Sequence, residues 1–493
     1  MTNVFRTAGG NFNAVLRLFL AAAIFFCAVL PVHSQTSAGK APIRLSPDAA
    51  VDMAIKNNLS LEMARIGTDI KRRKSDLVWN QFLPAVGVTG TLSRDNWSST
   101  SQGMAVPIPG TGTPYSYGGI NGELNPSIFG VNTVTLPRGL LSGAFSATLD
   151  LSFALFEGIR SIKLDYQAGL ISLEKAKLQL EQGVRKMYNN ILLLQANSVL
   201  LEESFNNTKR QADMAEANFR GGLAPRLAWL QAQVAVENMK PQINDLENSL
   251  RSLGGNFALL LGLPYDTPFD LEPLDAGTSF IPPDVAELIS RAASGKPDVQ
   301  ELQANIMTLQ SQRKALSLQN NTPFLRLGWS LSSRFQNDPW KDNWFNADSW
   351  TKGGSFSITL GMNFNGLFPF TKEGQQRKDM EANIQIQNIM LAQTIRETEL
   401  EIFTTVNSLE KIRTTAQAQQ AAVDLAEQSY KLTEEAYRGG LQDFLSVQSS
   451  ALALEQAKLQ LLTQQFNYLN DLIDLEYSIG VPFGTLSSKE THQ

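Results

Sequence analysis

One stretch of this chain occurs twice, and any fold must accommodate both copies. Phe219-Arg220-Gly221-Gly222-Leu223 returns as Tyr437-Arg438-Gly439-Gly440-Leu441, 218 positions later. At the same offset Glu216 matches Glu434, Leu227 matches Leu445, Ala235 matches Ala453, and Glu237, Lys240 and Gln242 match Glu455, Lys458 and Gln460. The match closes without a gap on Leu261-Gly262-Leu263-Pro264 and Ile479-Gly480-Val481-Pro482. A register kept this long marks a tandem duplication, so the fold is built from two copies of one unit.

Each copy predicts very long helices. From Gln375 to Arg438 the chain has 64 residues with neither glycine nor proline, and Leu441 to Ile479 adds 39 more. The first stretch alone extends roughly 95 Å at 1.5 Å per residue. A heptad stripe of Ile395, Ile402, Leu409, Ala416, Val423, Tyr430 and Tyr437 runs along it. On the return Leu459, Leu462, Phe466, Leu469 and Ile473 alternate three and four apart, the seam of a left-handed coiled coil. In the first copy Val236, Met239, Ile243, Leu246, Leu250, Leu253, Phe257 and Leu260 do the same. Its outgoing arm, from about Ile159 to Phe219, has no proline and only Gly169 and Gly183 inside. Pro241 predicts a bend in the first returning helix that the second lacks.

The Gly-Gly pairs reverse the chain between the arms, because glycine supplies the positive φ that ends a helix. Arg220 and Arg438 fall in a last turn, where a cation favours the carbonyl end of the dipole. Pro225 suits a first helical turn, and Asp443 can cap the start of the second returning helix.

Four segments alternate between apolar and polar residues with the period of a two-faced strand. They are Val86–Leu92, Phe145–Phe156, Leu325–Leu331 and Phe356–Phe364, two in each copy. Residues 94–142 and 333–353 connect the pairs. The first connection is rich in Gly, Ser, Pro, Asn and Tyr; the second holds Trp340, Trp344 and Trp350, either loop packing or an interfacial aromatic belt.

At the N-terminus Arg6 and Arg17, an apolar run from Val15 to Leu30 and Val32-His33-Ser34-Gln35 predict a secretory signal cleaved near Ser34. The run is short for a bilayer span, which favours a signal over an anchor. Phe25-Phe26 stand where a lipidated Cys27 would want small residues. Cleavage removes the only cysteine and leaves His492 as the only histidine, so disulfides, Cys/His metal sites and cofactor sites are not expected. The formal charge moves from −5 to about −7 without the two arginines, which is no footprint for nucleic acid.

Four amphipathic strands cannot close a barrel, for which about eight is the practical minimum. Open edges are not tolerated in lipid, so the protomer is expected to assemble with copies of itself. The fold class that follows is α+β: a tandem-duplicated chain giving four strands per protomer to an outer-membrane β-barrel continuous with long α-helical hairpins.

The residues resemble those of TolC-type outer-membrane efflux proteins over nearly the whole mature length. The resemblance rests on Pro47-Asp48 and Pro283-Asp284 as helix starts and on strands ending in Leu155-Phe156-Glu157-Gly158 and Leu367-Phe368. The two aromatic-Xaa-Gly-Gly turns and the two Gly-Xaa-Pro closers complete it. It implies a homotrimer with a twelve-stranded barrel in outer-membrane lipid and a twelve-helix periplasmic tunnel. It also implies two partners, a periplasmic adaptor protein and an inner-membrane transporter. An enzyme is not expected, because with no cysteine after cleavage and only a tail histidine the chain lacks the commonest nucleophile and base. The expected division is a signal at 1–34, an entering helix at 35–82, strands at 83–157, a hairpin at 158–264 and a connector with helix at 265–322. Strands at 323–368, a hairpin at 369–482 and a tail at 483–493 follow.

The tip site implied by the resemblance is Phe219, Arg220, Gly221, Gly222, Leu223, Arg226, Tyr437, Arg438, Gly439, Gly440, Leu441 and Asp443. Tyr437 matches a tip tyrosine of the family, whereas Phe219 lacks the hydroxyl. Where relatives place acidic residues after the turn, this chain has Ala228, Ser446 and Ser449. Asp443 is the nearest carboxylate, and Arg220, Arg226 and Arg438 would line the tip instead. Residues 369–374, Pro-Phe-Thr-Lys-Glu-Gly, would lengthen the strand-to-helix corner. The alternative to a channel is a secreted coiled-coil stalk or adhesin, which would have no use for strands with a lipid-ready face.

Overall fold

The computed structural model describes residues 42–94, 100–102, 106–107, 129–130, 133–135, 139–222, 224–274, 284–335, 340, 343, 346–364, 366, 368–439 and 441–488. The expected signal segment lies outside them. All four alternating segments are strands: β2 (Ala85–Arg94), β3 (Gly139–Ser152), β5 (Pro323–Phe335) and β6 (Trp350–Met362). A three-residue strand β1 (Ile43–Leu45) precedes them, and another, β4 (Phe269–Leu271), lies between β3 and β5. The four long strands form one antiparallel sheet in the order β6-β5-β3-β2.

Register turns four alternating strands into one two-faced sheet, since a slip of one residue would flip a strand's side chains to the other face. One row across the sheet reads Val86, Ala147, Trp329, Phe356, and another Leu151, Leu325, Leu360. Phe145 meets the Trp329 ring edge-on at 5.5 Å. The opposite face carries the row Gly87, Ser146, Ser330, Ser355, with the two hydroxyls of Ser330 and Ser355 2.8 Å apart. On that polar face Arg326 Nε donates to Asp150 at 2.5 Å.

β3 ends four residues before the alternation does. Helix α3 (Ala154–Arg220) takes over at Ala154, so Phe153, Leu155 and Phe156 form the corner rather than strand. Three alternating residues are equally compatible with a first helical turn, and Glu157 there favours the positive end of the helix dipole. Phe364 likewise falls beyond β6. Part of the 369–374 segment becomes helix α7 (Lys372–Arg438), which Thr371 caps by accepting from the Gly374 N–H at 3.1 Å.

The two outgoing helices, α3 and α7, are each 67 residues long, about 100 Å. The returning helices are α4 (Arg226–Leu260) and α8 (Phe444–Ile479), little more than half that length. The remainder of each outgoing helix is flanked by α2 (Leu59–Asp76) or α6 (Pro297–Asn321). Neighbours under the sheet therefore run α2, α3, α6, α7, each continuing one strand. Farther from the sheet they run α4, α3, α8, α7. The heptad stripe is internal where expected: Ile402, Leu409, Ala416 and Val423 are buried. Pro241 does not interrupt α4. Both it and Glu237, whose carbonyl loses its usual donor, are exposed, so water can satisfy that group.

Where the flanking helices change over, the chain builds the same joint twice. Helices α1 (Pro47–Asn57) and α5 (Val285–Gly295), 11 residues each, precede α2 and α6. The repeated closers dock against these junctions with glycines at φ 72° (Gly262) and 69° (Gly480). The Leu263 N–H returns to the Ala258 carbonyl at 2.8 Å, and the Val481 N–H to that of Glu476 at 3.1 Å, both helix-ending Schellman bonds. A Cβ on Gly262 would stand 2.3 Å from the Asn57 oxygen, and one on Gly480 2.3 Å from the Gly295 oxygen. Buried Tyr188 donates towards the Leu45 and Glu272 carbonyls beside the parallel β1–β4 pair, at 2.9 and 2.8 Å. Burial away from water pushes its hydroxyl up to about 12.

An ionic seam binds the two copies at this level. Lys175 Nζ lies 2.8 Å from both Asp298 and Glu301, and the Tyr477 hydroxyl donates to Asp298 at 3.0 Å. Within the second copy Lys296 reaches Glu401 at 2.6 Å. Burial alone would raise Asp298 and Glu301, but Lys175 outweighs it and holds both below the ordinary carboxylate range.

Two measurements test these joints. Gly480→Ala, with both the clash and the left-handed backbone against it, is expected to cost about 1–3 kcal/mol. Gly254→Ala, in mid-helix with open space around it, is neutral or stabilising by up to about 1 kcal/mol, so the thermal midpoint in detergent falls for Gly480→Ala alone. Carboxyls depressed in the fold contribute stability above their unfolded values and lose it as pH falls through the folded ones. Lys175→Met is therefore less stable than wild type at pH 7, and the gap in midpoint narrows as pH drops below about 4.

Candidate functional site

The two hairpin turns are the ends farthest along the helices from the sheet. In the first, the Gly221 N–H bonds the Ala217 carbonyl at 2.9 Å with φ −77°, and the positive φ falls on the second glycine, Gly222 at 74°. The Ala224 N–H then closes on the Asn218 carbonyl at 3.2 Å, and α4 starts at Arg226 with Pro225 as its N-cap residue. In the second, Gly439 has φ −78° and bonds Glu435 at 3.0 Å, and the Leu441 N–H returns to the Ala436 carbonyl at 2.9 Å. Leu223 and Gly440 lie outside the described residues; Leu441 is 82% exposed.

The charged residues of the turns have separate local duties. Arg220 pairs with Glu216 and Arg438 with Glu434, the latter at 2.8 Å, each one turn back on its own helix. The matched glutamates of the repeat are thus the partners of the matched arginines. Arg226 differs: it is exposed, has no ion pair among the described residues, and stands at a helix N-terminus, the end that disfavours a cation. Asp443 caps α8, its Oδ1 accepting from the Ser446 N–H at 2.9 Å and hydroxyl at 2.5 Å. Those bonds from Ser446 hold its carboxyl below the usual range.

Aromatic packing brings the two hairpins together. Within the first hairpin Phe219 stacks on Trp229 at 5.6 Å with the rings 7° from parallel, and within the second Tyr437 meets Phe444 at 6.4 Å. Phe444 is 3% exposed, because its ring enters a socket of Ala212, Ala215, Ala232 and Ala235 on the first hairpin. Gln211 also donates to the Tyr430 hydroxyl at 3.2 Å, one hairpin to the other. Neither Phe444 nor its socket was singled out from the sequence. The available signal was the repeat itself: at the common offset Phe444 aligns with Arg226, a large apolar residue against a charge.

A two-faced sheet carried on helices some 100 Å long, each paired into a hairpin at its far end, defines an outer-membrane channel with a helical tunnel. The chain belongs to the outer membrane efflux protein family, which it matches over residues 50–262 and 288–481. It is accordingly an outer-membrane protein. Over 345 residues it is 25% identical to the pyoverdine export outer membrane protein OpmQ of Pseudomonas aeruginosa; the match covers 64% of this chain and 66% of that protein's length. Among solved structures it is similar to CusC, at 18% identity and TM-score 0.66, over 88% of this chain and 92% of that one. It is also similar to VceC of Vibrio cholerae, at 15% identity and TM-score 0.64, over 89% and 96%. At these identities the structural likeness establishes the fold.

Emptying the socket tests what joins the hairpins. Phe444→Ala is expected to weaken the tip by about 3–5 kcal/mol, the usual range for losing a buried phenyl ring. Amide hydrogen exchange should accelerate around residues 212–235 and 441–450, while protection near Tyr188 is unchanged.

Proposed function

We propose that three copies of this chain close a twelve-stranded barrel and a helical tunnel below it, forming a passive exit duct from periplasm to exterior. The observation that carries the reading is the pair of sheet edges. The outer strands β2 and β6 each have one unpaired edge, and apolar positions on both are turned outward, with Val88 79%, Phe356 67% and Leu360 76% exposed. Backbone groups without partners are costly in hydrocarbon, so β2 of one copy pairs with β6 of the next until the ring closes. The polar face, with Asp150, Arg326 and the serine row, then lines water. A coiled-coil stalk leaves this sheet unexplained.

The turns are the periplasmic tip, which meets an adaptor protein and, with it, an inner-membrane transporter. Phe219, Arg220, Gly221, Gly222, Leu223, Arg226, Tyr437, Arg438, Gly439, Gly440, Leu441 and Asp443 form that contact. Exposed backbone around two glycines accepts a close-approaching partner surface, while exposed Leu441 and Arg226 supply an apolar and a cationic contact. Asp443 serves as a helix cap rather than an acidic gate. The route holds no chemistry of its own: cargo crosses a water-filled lumen, and the likeness to a pyoverdine export protein makes pyoverdine the first cargo to try.

Gly222→Val and Gly440→Val, alone or together, should abolish export by intact cells while the outer-membrane trimer still forms and resists detergent. Valine is strained at the positive φ of Gly222, so the damage stays at the tip. Trimers lost in both variants, with export failing only for that reason, would overturn the assignment of the turns.

A further inference from the structure

Directly past the sheet, helices α3, α6 and α7 enclose a groove of about 840 Å³. Five cations line it, Arg160, Arg313, Lys314, Arg377 and Lys378, against two acids, Glu157 and Glu381. The imbalance stands out in a chain whose net charge is −5. Glu157 is taken up by Lys314 and, at 3.9 Å, by Arg160; Glu381 faces Arg313 at 3.7 Å. Arg377 and Lys378 have neither an ion pair nor a side-chain hydrogen bond among the described residues. Two neighbouring cations beside an open cavity repel each other unless an anion joins them.

The position of the groove suggests which anion. Reckoned along the helices, the five cations lie five to eight residues beyond the helix ends nearest the sheet, roughly 8–12 Å. Between them and the strands runs a collar of exposed aromatics: Phe153 at 61%, Phe156 at 65%, Phe368 at 49% and Phe370 at 84%. Phe82 packs near Phe156 at 6.4 Å, and Phe368 stacks with Phe370 at 5.5 Å. Such a collar marks the boundary of a barrel's apolar band. The headgroup zone next to it is about 5–8 Å deep, and arginine and lysine stems reach back that far.

We infer that this groove binds the phosphate group of an anionic membrane lipid, with Arg377 and Lys378 as its contacts and the phenylalanine collar against the acyl chains. The inference rests on β2, β3, β5 and β6 being membrane strands. Free inorganic phosphate shares the chemistry but not the collar, and the two are told apart by experiment.

The full-length trimer is purified in detergent, and its thermal midpoint is followed while phosphatidylglycerol, phosphatidylcholine or inorganic phosphate is added. Need for detergent is recorded first: a chain that stays dissolved without it refutes the membrane reading before any lipid is added. Phosphatidylglycerol should raise the midpoint and phosphatidylcholine should not. Arg377→Gln with Lys378→Gln should weaken the apparent phosphatidylglycerol affinity roughly 30-fold, two cations each contributing about a factor of five. The charge-keeping pair Arg377→Lys with Lys378→Arg should retain it, which separates loss of charge from misfolding. Equal responses to the two lipids, or undiminished binding by the glutamine pair, would overturn the proposal. Displacement of phosphatidylglycerol by millimolar inorganic phosphate would overturn the lipid assignment in favour of a soluble anion.

Discussion

The in-phase register of β3 against β5 is what the rest of the structure depends on. These are the central strands of the sheet, and they belong to different copies of the repeat. Phe145 lies opposite Leu331 and Ser146 opposite Ser330, so the apolar set of one copy extends that of the other. A slip of one residue would put Leu327 on the side of Ser146 and leave neither face fit for lipid or for water. Each strand also leads directly into a helix, so the same pairing sets the order of helices beneath it. Strand order β2-β3-β5-β6 becomes helix order α2-α3-α6-α7 without a crossing.

Duplication explains why one joint serves twice and also where it was allowed to lapse. The closers at Gly262 and Gly480 both need positive φ and both stand against a backbone carbonyl at 2.3 Å from where a Cβ would be. Any other residue there breaks a helix junction, which leaves sequence little freedom. At the tips the constraint is looser, and the copies differ: Phe444 plugs the first hairpin, while its counterpart Arg226 reaches solvent. A chain with identical tips would make the same contact on both sides of every hairpin. This one makes an aromatic contact within the protomer and leaves a charge exposed on the other hairpin.

Much of this was legible in the sequence because it is local. Alternation located four strands, absence of glycine and proline located the long helices, and glycine pairs located the turns. Element ends were less legible, since at Ala154 a strand period and a helical turn fit the same three residues. What could not be read depends on residues far apart in the chain. Tyr188 bridging Leu45 and Glu272, or Lys175 meeting Asp298 and Glu301, has no periodic signature. Pro241 stays inside a continuous helix for a physical reason: a lost hydrogen bond is cheap where water can replace it.

The distribution of contacts along the molecule says where it is stiff. At the joint level the two copies are tied by the pairs of Lys175 with Asp298 and Glu301 and by Phe466 of the second copy, buried in the core of the first. Towards the tip they share Phe444 in a socket of alanines and the hydrogen bonds of Gln211 to Tyr430 and of Ser204 to Glu455. Cooperative units open first where buried apolar contact is sparse. Relative movement of the hairpins therefore costs least at the tip and most at the joint, and a helix of 67 residues carries a small rotation at the joint into a displacement of its far end.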